Sequence, residues 1–122
     1  MQQNLPFPLR GVVYTNSRKY TLEQQLHLIE FLSQHHANTF IWTNFSWKTA
    51  YTKIDTQDAK KFHAIAEQCH KNNIELWIGF KPGDSRYCYH HNDRKKLIAN
   101  AKYLLKESPN TTGIYLAMDD TH

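Results

Sequence analysis

Two adjacent carboxylates, Asp119 and Asp120, follow an apolar segment at residues 114–118. Neighbouring acids can divide acid–base work, because mutual repulsion and burial raise the pKa of one acid and keep a proton available on it. Side chains alternate along a strand, so both acids reach one pocket only where regular pleating ends. The same pair could instead cap a helix or lie in solvent. Taken alone, the adjacent acids favour a helix cap or a solvated loop over an acid–base pair at the end of a strand, and both interpretations stay open at this point.

Polar and aromatic residues also follow three earlier apolar segments, in the stretches TNSRKY, NFSWKTAY and KPGDSRYCYHHND. Aromatic faces can cover the carbons of a sugar ring, while polar groups hydrogen-bond to its hydroxyls. Such loops are equally typical of solvated surface. If the segments are parallel strands, the loops meet the two acids at one edge of a sheet. The candidate pocket residues are Asn44, Trp47, Lys48, Tyr51, Lys81, Asp84, Arg86 and Tyr87.

The apolar segments that must position these loops are residues 11–15, 38–45, 74–80 and 112–118. Each is rich in β-branched or aromatic residues and nearly continuous in its apolar character. That composition is typical of parallel strands covered on both faces, since a strand with one solvated face would alternate. We therefore predict four parallel strands.

Three segments of helical period separate the strands. The first begins at TLEQ, where Thr21 and Gln24 can form a capping box. The second has Asp55 as its N-cap candidate and ends at two asparagines, 72 and 73, and the third starts after residue 92 or 93 and ends at SPN, residues 108–110. The predicted apolar stripes are Leu22, Leu26, Ile29 and Leu32; Phe62, Ile65, Ala66 and Cys69; and Leu97, Ala101, Leu104 and Leu105.

The element order βαβαβαβ predicts an α/β fold in a single domain, residues 1–122, with a four-stranded parallel sheet. Four strands and three helices form half of a (β/α)8 barrel, which typically takes about 250 residues. A small open doubly wound sheet of flavodoxin type has the same order. The pattern alone leaves both architectures open, although the lack of a glycine-rich phosphate loop argues against a nucleotide ligand.

The composition of the chain argues against several classes of partner and ligand. The formal charge is +4, but the lysines and arginines are scattered, so we expect no nucleic-acid partner. No segment is long and apolar enough for a signal peptide or a membrane span, and only two cysteines occur, so a cytoplasmic location is the default expectation. The histidine pairs lack the spacing of a metal site. We expect no cofactor and no metal.

Three motifs, NTFIW, ELWIGFKPG and LAMDD, resemble in order and spacing the catalytic barrel of glycoside hydrolase family 84. This family comprises β-N-acetylglucosaminidases that include O-GlcNAcases and hyaluronidase-like enzymes. The likeness extends from Gly11 to Asp120 and implies that the chain is the N-terminal half of such a barrel. It also implies an activity, namely hydrolysis of terminal β-linked N-acetylglucosamine.

The resemblance implies a substrate-assisted retaining mechanism, in which the acetamido oxygen of the sugar takes the place of a protein nucleophile. Asp119 would orient the acetamido N–H, and Asp120 would protonate the leaving oxygen and later activate water. Thr15 takes the position of a glycine that approaches the sugar in the family, and the family's sugar-binding lysine is absent. Lys48 or Lys81 would replace that lysine. The expected substrate-binding residues are Thr15, Asn44, Trp47, Lys48, Lys81 and Tyr87.

Half a barrel closes a pocket on one side only, which forfeits much of the orientation that catalysis needs. We therefore expect the chain alone to be weak or inactive, and its exposed sheet edges to pair with a second copy or with a missing C-terminal half. The alternative function is a non-catalytic module that binds carbohydrate or associates with itself. The expected ligand in either case is a glycoconjugate containing N-acetylglucosamine.

Overall fold

The computed structural model describes residues 7–15, 20–45, 53–80 and 91–116. The strands are β1, Gly11–Thr15; β2, Thr39–Phe45; β3, Glu75–Phe80; and β4, Thr111–Leu116. The helices are α1, Leu22–Gln34; α2, Thr56–Lys71; and α3, His91–Glu107. They alternate in the predicted order. No helix in the described ranges combines the length and the apolar character needed to cross a membrane.

The four strands form one sheet in the order β1-β2-β3-β4, and every neighbouring pair is parallel. Each strand therefore lies beside the next one in the chain, with a helix in each connection. This arrangement confirms the predicted half-barrel order, whereas a doubly wound sheet reverses its strand order at a switch point.

Helix α1 begins as its sequence predicts. The Thr21 hydroxyl accepts a hydrogen bond from the Gln24 amide at 3.1 Å, and the Gln24 side chain accepts one from the Thr21 amide at 2.9 Å. Helix α2 is capped by Asp55, whose carboxylate accepts from the Asp58 amide at 2.7 Å. These bonds satisfy backbone donors that have no partner inside a helix.

The third helix begins earlier than predicted, at His91 instead of after residue 92 or 93. The prediction took Asn92 or Asp93 as an N-cap, but both lie within the first turn. The predicted start of this helix was therefore wrong by two or three residues.

One hydrophobic core fills the space between the sheet and the three helices. Its largest fully buried side chains come from both layers, and the predicted stripes supply the helix side. Ile74 is buried just before β3, the buried strand residues are Tyr14, Phe40, Trp42, Leu76, Ile78 and Phe80, and the buried helix residues are Ile29, Leu32, Phe62, Ile65, Ala66, Cys69 and Leu104.

Candidate functional site

The carboxyl ends of the strands lie along one edge of the sheet. Because all four strands are parallel, Thr15, Phe45, Phe80 and Leu116 end at the same side. The predicted pocket residues follow these ends in the sequence. This edge is therefore the candidate functional site, as expected for strand and helix repeats of this kind.

Most of the predicted site lies outside the described residues. This holds for the acids Asp119 and Asp120 and for Trp47, Lys48, Lys81 and Tyr87, as well as for the further loop residues Tyr51, Asp84 and Arg86. Thr15 is described in full, and Asn44 is described for its backbone within β2. The convergence of these side chains thus stays a prediction. The described part of the edge consists of strand residues.

One face of the sheet is turned toward the helices. The Trp42 indole N–H donates to the Gln25 side-chain oxygen of α1 at 2.9 Å, and its ring stacks on Phe62 of α2 with a centroid separation of 5.8 Å. Since side chains alternate along a strand, Thr43 next to Trp42 projects from the opposite face. We call that opposite face the inner face; its residues are Val13, Thr15, Ile41, Thr43, Trp77, Gly79, Gly113 and Tyr115.

A row of four inner-face residues lies nearest the carboxyl ends, and we call it the carboxyl-end row: Thr15, Thr43, Gly79 and Tyr115. Thr15 pairs with Thr43 and Gly79 pairs with Tyr115. A Cβ added to Gly79 would lie 2.1 Å from the Thr43 hydroxyl oxygen, so these two residues are also neighbours. The row offers hydroxyl donors and acceptors and no carboxylate. It can orient a polar ligand, while acid–base chemistry has to come from other groups.

The pairing of β2 with β3 is irregular next to this row. Trp42 pairs with Ile78, whereas Phe45 pairs with Phe80, so β2 contains one residue more than β3 over this interval. A bulge interrupts the alternation of side chains and often lies beside a functional site, where it redirects a side chain. The predicted pocket residue Asn44 belongs to this interval.

The Thr43 hydroxyl is buried without a hydrogen-bond partner among the described residues. The residue is 4% exposed, and its hydroxyl lies over Gly79, where no side chain other than hydrogen would fit. A buried hydroxyl without a partner costs free energy, on the order of 1–3 kcal/mol. The hydroxyls of Tyr14 and Thr111 are likewise buried without a described partner, and of the three only Thr43 belongs to the carboxyl-end row.

Replacing Thr43 by valine is expected to raise the free energy of unfolding by about 1 kcal/mol, because the unsatisfied hydroxyl disappears while the volume is kept. The matched control is Thr39→Val in the same strand, where the hydroxyl donates to the Asn38 side chain at 2.9 Å. That variant should lose about 1 kcal/mol. Urea unfolding followed by circular dichroism measures both, and a loss of stability in both variants would refute the interpretation of Thr43.

Sequence reasoning missed Thr43 and Tyr115 as site residues. Both lie inside strand segments whose apolar character identified them as strands and hid which face each residue takes. The available signal was alternation: once Trp42 is placed against the helices, Thr43 must project from the other side. A nearly continuous apolar run does not alternate, so the sequence does not show which of its residues face the helices.

Two buried titratable groups lie on the helix side and take no part in the site. Burial raises the pKa of the Cys69 thiol to about 12, which confirms the prediction of an inert core cysteine. Burial also raises the pKa of the Tyr14 phenol, an effect that the Tyr20 backbone opposes and does not overcome. Both groups stay protonated at neutral pH.

A cavity of about 340 Å³ lies in the helix layer, lined by Lys53, Ile54, Thr56, Ala99, Asn100 and Tyr103. It is formed by the start of α2 and the middle of α3 and lies apart from the carboxyl-end row. Within the described ranges, no three His, Cys, Asp or Glu side chains are grouped to hold a metal ion.

Comparison with known proteins identifies the architecture. No protein-family model and no curated protein matches the chain. Among solved structures, the chain is similar to CpGH84B, with a TM-score of 0.78 and 17% sequence identity. The likeness covers 95% of this chain and 22% of CpGH84B, so the chain spans about a fifth of the length of that protein.

This likeness concerns the fold. The four-stranded parallel sheet with its three helices matches a fragment of the barrel of a glycoside hydrolase family 84 protein. The identity of 17% is too low to transfer an activity or a set of site residues. The half-barrel architecture expected from the sequence is confirmed.

Proposed function

We propose that this chain is half of a glycosidase barrel that acts on terminal β-linked N-acetylglucosamine. The observation that carries the proposal is the position of β4. This strand runs parallel to the other three and ends at Leu116, and the sequence places two adjacent acids, Asp119 and Asp120, three and four residues later. Three trans peptide units span at most about 11 Å, so the proposal puts Asp119 near the carboxyl edge.

The proposed mechanism follows the resemblance to the family. The acetamido carbonyl oxygen of the sugar attacks the anomeric carbon, the bond from that carbon to the leaving oxygen breaks, and Asp120 donates its proton to that oxygen. Asp119 accepts a hydrogen bond from the acetamido N–H and stabilises the positive charge of the oxazoline. Asp120 then takes a proton from water as the water attacks the anomeric carbon and breaks its bond to the oxazoline oxygen, which restores the acetamido group and retains the β configuration.

The remaining predicted residues have binding roles in this proposal. Trp47 and Tyr87 cover the apolar face of the sugar ring, and Lys48 or Lys81 hydrogen-bonds to a hydroxyl. Asn44 belongs to the bulged interval of β2 and adds an amide. The carboxyl-end row forms the floor of the pocket, where the Thr43 hydroxyl, which has no partner among the described residues, can hydrogen-bond to a sugar hydroxyl.

The test compares an aryl β-N-acetylglucosaminide with the matching aryl β-glucoside, which lacks the acetamido group. Hydrolysis of the first substrate alone, with β-configured product by NMR, supports the proposal, because substrate assistance requires the acetamido oxygen. Equal hydrolysis of both substrates would point to a protein nucleophile and refute the mechanism. Absence of both turnover and binding would refute the function.

A second candidate function is a non-catalytic module that binds the same sugar or associates with itself. The observation in its favour is the half-exposed inner face, on which Val13 is 50% and Tyr115 is 40% exposed. A pocket with one open side leaves an oxazoline in contact with water and poorly oriented. Sugar binding without turnover, measured by saturation-transfer NMR with N-acetylglucosamine, would favour this candidate.

A further inference from the structure

The two faces of the sheet differ sharply in burial. On the helix side, Phe40 and Ile78 are 0% exposed and Trp42 is 1% exposed. On the inner face, Val13 and Tyr115 are half-exposed, and Ile41 and Trp77 are only partly buried. The helices all pack on the first face, so no described element covers the second. Apolar side chains left in water forgo the stabilisation that their burial would give.

The two outer strands each have one unpaired edge. Among the described strands, β1 pairs only with β2, and β4 pairs only with β3. Each has exposed apolar side chains on both faces: Val12 and Val13 in β1 are 38% and 50% exposed, and Tyr115 and Leu116 in β4 are 40% and 52% exposed. Their outer backbone N–H and C=O groups form two templates for pairing with another strand.

A partner that pairs with both edges of this sheet and covers its inner face must have three structural features. It needs an edge strand parallel to β1, a second edge strand parallel to β4, and an apolar concave face between them. A single peptide or strand supplies one edge. A second copy related by a two-fold axis along the strands supplies all three, because its β4 lies beside β1 and its β1 lies beside β4 in the parallel sense.

We propose that two copies of this chain close one eight-stranded parallel barrel, with their inner faces forming its interior. Eight strands are the number at which side chains can fill a parallel barrel of this type. The sheet already has the shape of a barrel fragment, as its TM-score of 0.78 with CpGH84B shows. The dimer needs no change in strand order or direction.

The inner face suits a barrel interior. Its middle row contains Val13, Ile41, Trp77 and Gly113, which pair across the four strands. A Cβ on Gly113 would lie 2.8 Å from the Trp77 ring, so the large side chain lies over the residue that has none. Two such rows bring large apolar side chains together at the axis, which is how the interior of these barrels is filled.

Charge does not oppose the contact. Neither β1, with the sequence GVVYT, nor β4, with the sequence TTGIYL, contains a charged residue. The formal charge of +4 resides elsewhere, with Lys60, Lys61, Lys95 and Lys102 exposed on the helices. Two positively charged copies can therefore meet through uncharged edges, with their helix charges on the outside and screened by salt.

The dimer itself does not depend on the proposed function. One consequence of the dimer does rest on the proposed function, because both carboxyl edges face the same end of the barrel. The carboxyl-end row of one copy then supplies the wall that the other copy lacks. Mass measurements test the assembly and sugar assays test the chemistry, so failure of either is separable from failure of the other.

The first test is the mass of the purified chain by sedimentation equilibrium over a concentration series. The expected species has twice the 14.4 kDa of one chain. Val13→Lys places a charge at the seam and should weaken the dimer about 100-fold or more, since an unpaired buried charge is costly. The matched control is Ile98→Lys, because Ile98 on α3 is 53% exposed, close to the 50% of Val13. The control should leave the mass unchanged.

A second pair of variants probes the other edge and guards against misfolding. Tyr115→Lys should weaken the dimer as Val13→Lys does, whereas Tyr103→Lys on α3 should not; these tyrosines are 40% and 42% exposed. Hydrogen exchange adds a readout in the unaltered chain. Amides of β1 and β4 should exchange more slowly as the concentration rises, while those of β2 and β3 should change little.

Three results would overturn the proposal. If the wild-type chain stays monomeric at every concentration, the inner face is covered by something other than a second copy, such as a continuation of the same chain. A mass that grows without limit indicates head-to-tail polymers in place of a closed pair. A dimer that survives both Val13→Lys and Tyr115→Lys uses a different surface.

Discussion

Replacing Asp120 by asparagine is expected to lower the turnover of a β-N-acetylglucosaminide with a poor leaving group by about 10²–10⁴-fold, the usual contribution of a positioned acid or base. The amide keeps the size and polarity of the carboxyl group but can neither donate the proton to the leaving oxygen nor take one from water. The measurement is kcat/KM under conditions in which the wild-type chain shows turnover.

The dependence on the leaving group sharpens this prediction. A leaving group of low pKa departs without much protonation. Asp120→Asn should therefore slow the first step only slightly for such a substrate and strongly for a substrate with a poor leaving group. Asp119→Asn should behave differently, because it removes the hydrogen bond to the acetamido N–H and affects good and poor leaving groups alike.

Glu75→Gln is the matched control. It makes the same chemical change at the amino end of β3, the opposite end of the sheet from the candidate site, at an exposed position. Its turnover should stay within about twofold of wild type, as expected for a substitution that leaves the transition state untouched. An Asp120→Asn protein with more than half of the wild-type rate would remove Asp120 from the mechanism.

The largest loss of stability is expected for Phe62→Ala. Phe62 is 0% exposed, lies on α2 and stacks on Trp42 of β2 with an interplanar angle of 27°. Truncation leaves a cavity between sheet and helix and should cost about 3–5 kcal/mol. Since a domain of this size is stable by roughly 5–15 kcal/mol, that is a large part of the total.

Urea unfolding monitored by far-ultraviolet circular dichroism measures this effect. The control is Phe31→Ala on α1, where the ring is 54% exposed and a change of about 0.5 kcal/mol or less is expected. A loss under about 1 kcal/mol for Phe62→Ala would mean that the core relaxes around the cavity or that the ring is not enclosed as described.

The features that the sequence predicted well depend on residues close together in the chain. The capping box of Thr21 and Gln24 and the cap of Asp55 each involve residues three apart, so the hydrogen bonds form whenever the helix forms. The strand segments and helical stripes were likewise local patterns, and their order alone restricted the fold to a few parallel architectures.

Other features required contacts between distant residues. Gln25 is only 6% exposed although it is polar, because its side chain accepts from the Trp42 indole and donates to the Tyr20 carbonyl. The stripe of leucines and isoleucine on α1 did not predict a glutamine among them. A buried amide is tolerated where its partners are supplied by tertiary structure, and those partners lie outside the helix.

The sequence by itself determined the elements, their parallel order and the place of the two acids after the last strand, because period, caps and chain order are local quantities. Only the tertiary structure decided which side chains share a face: it set Trp42 against the helices, turned Thr43 and Tyr115 inward, and left the inner face open. A nearly continuous apolar strand is compatible with either orientation, and the choice is made by packing against helices that are remote in the chain.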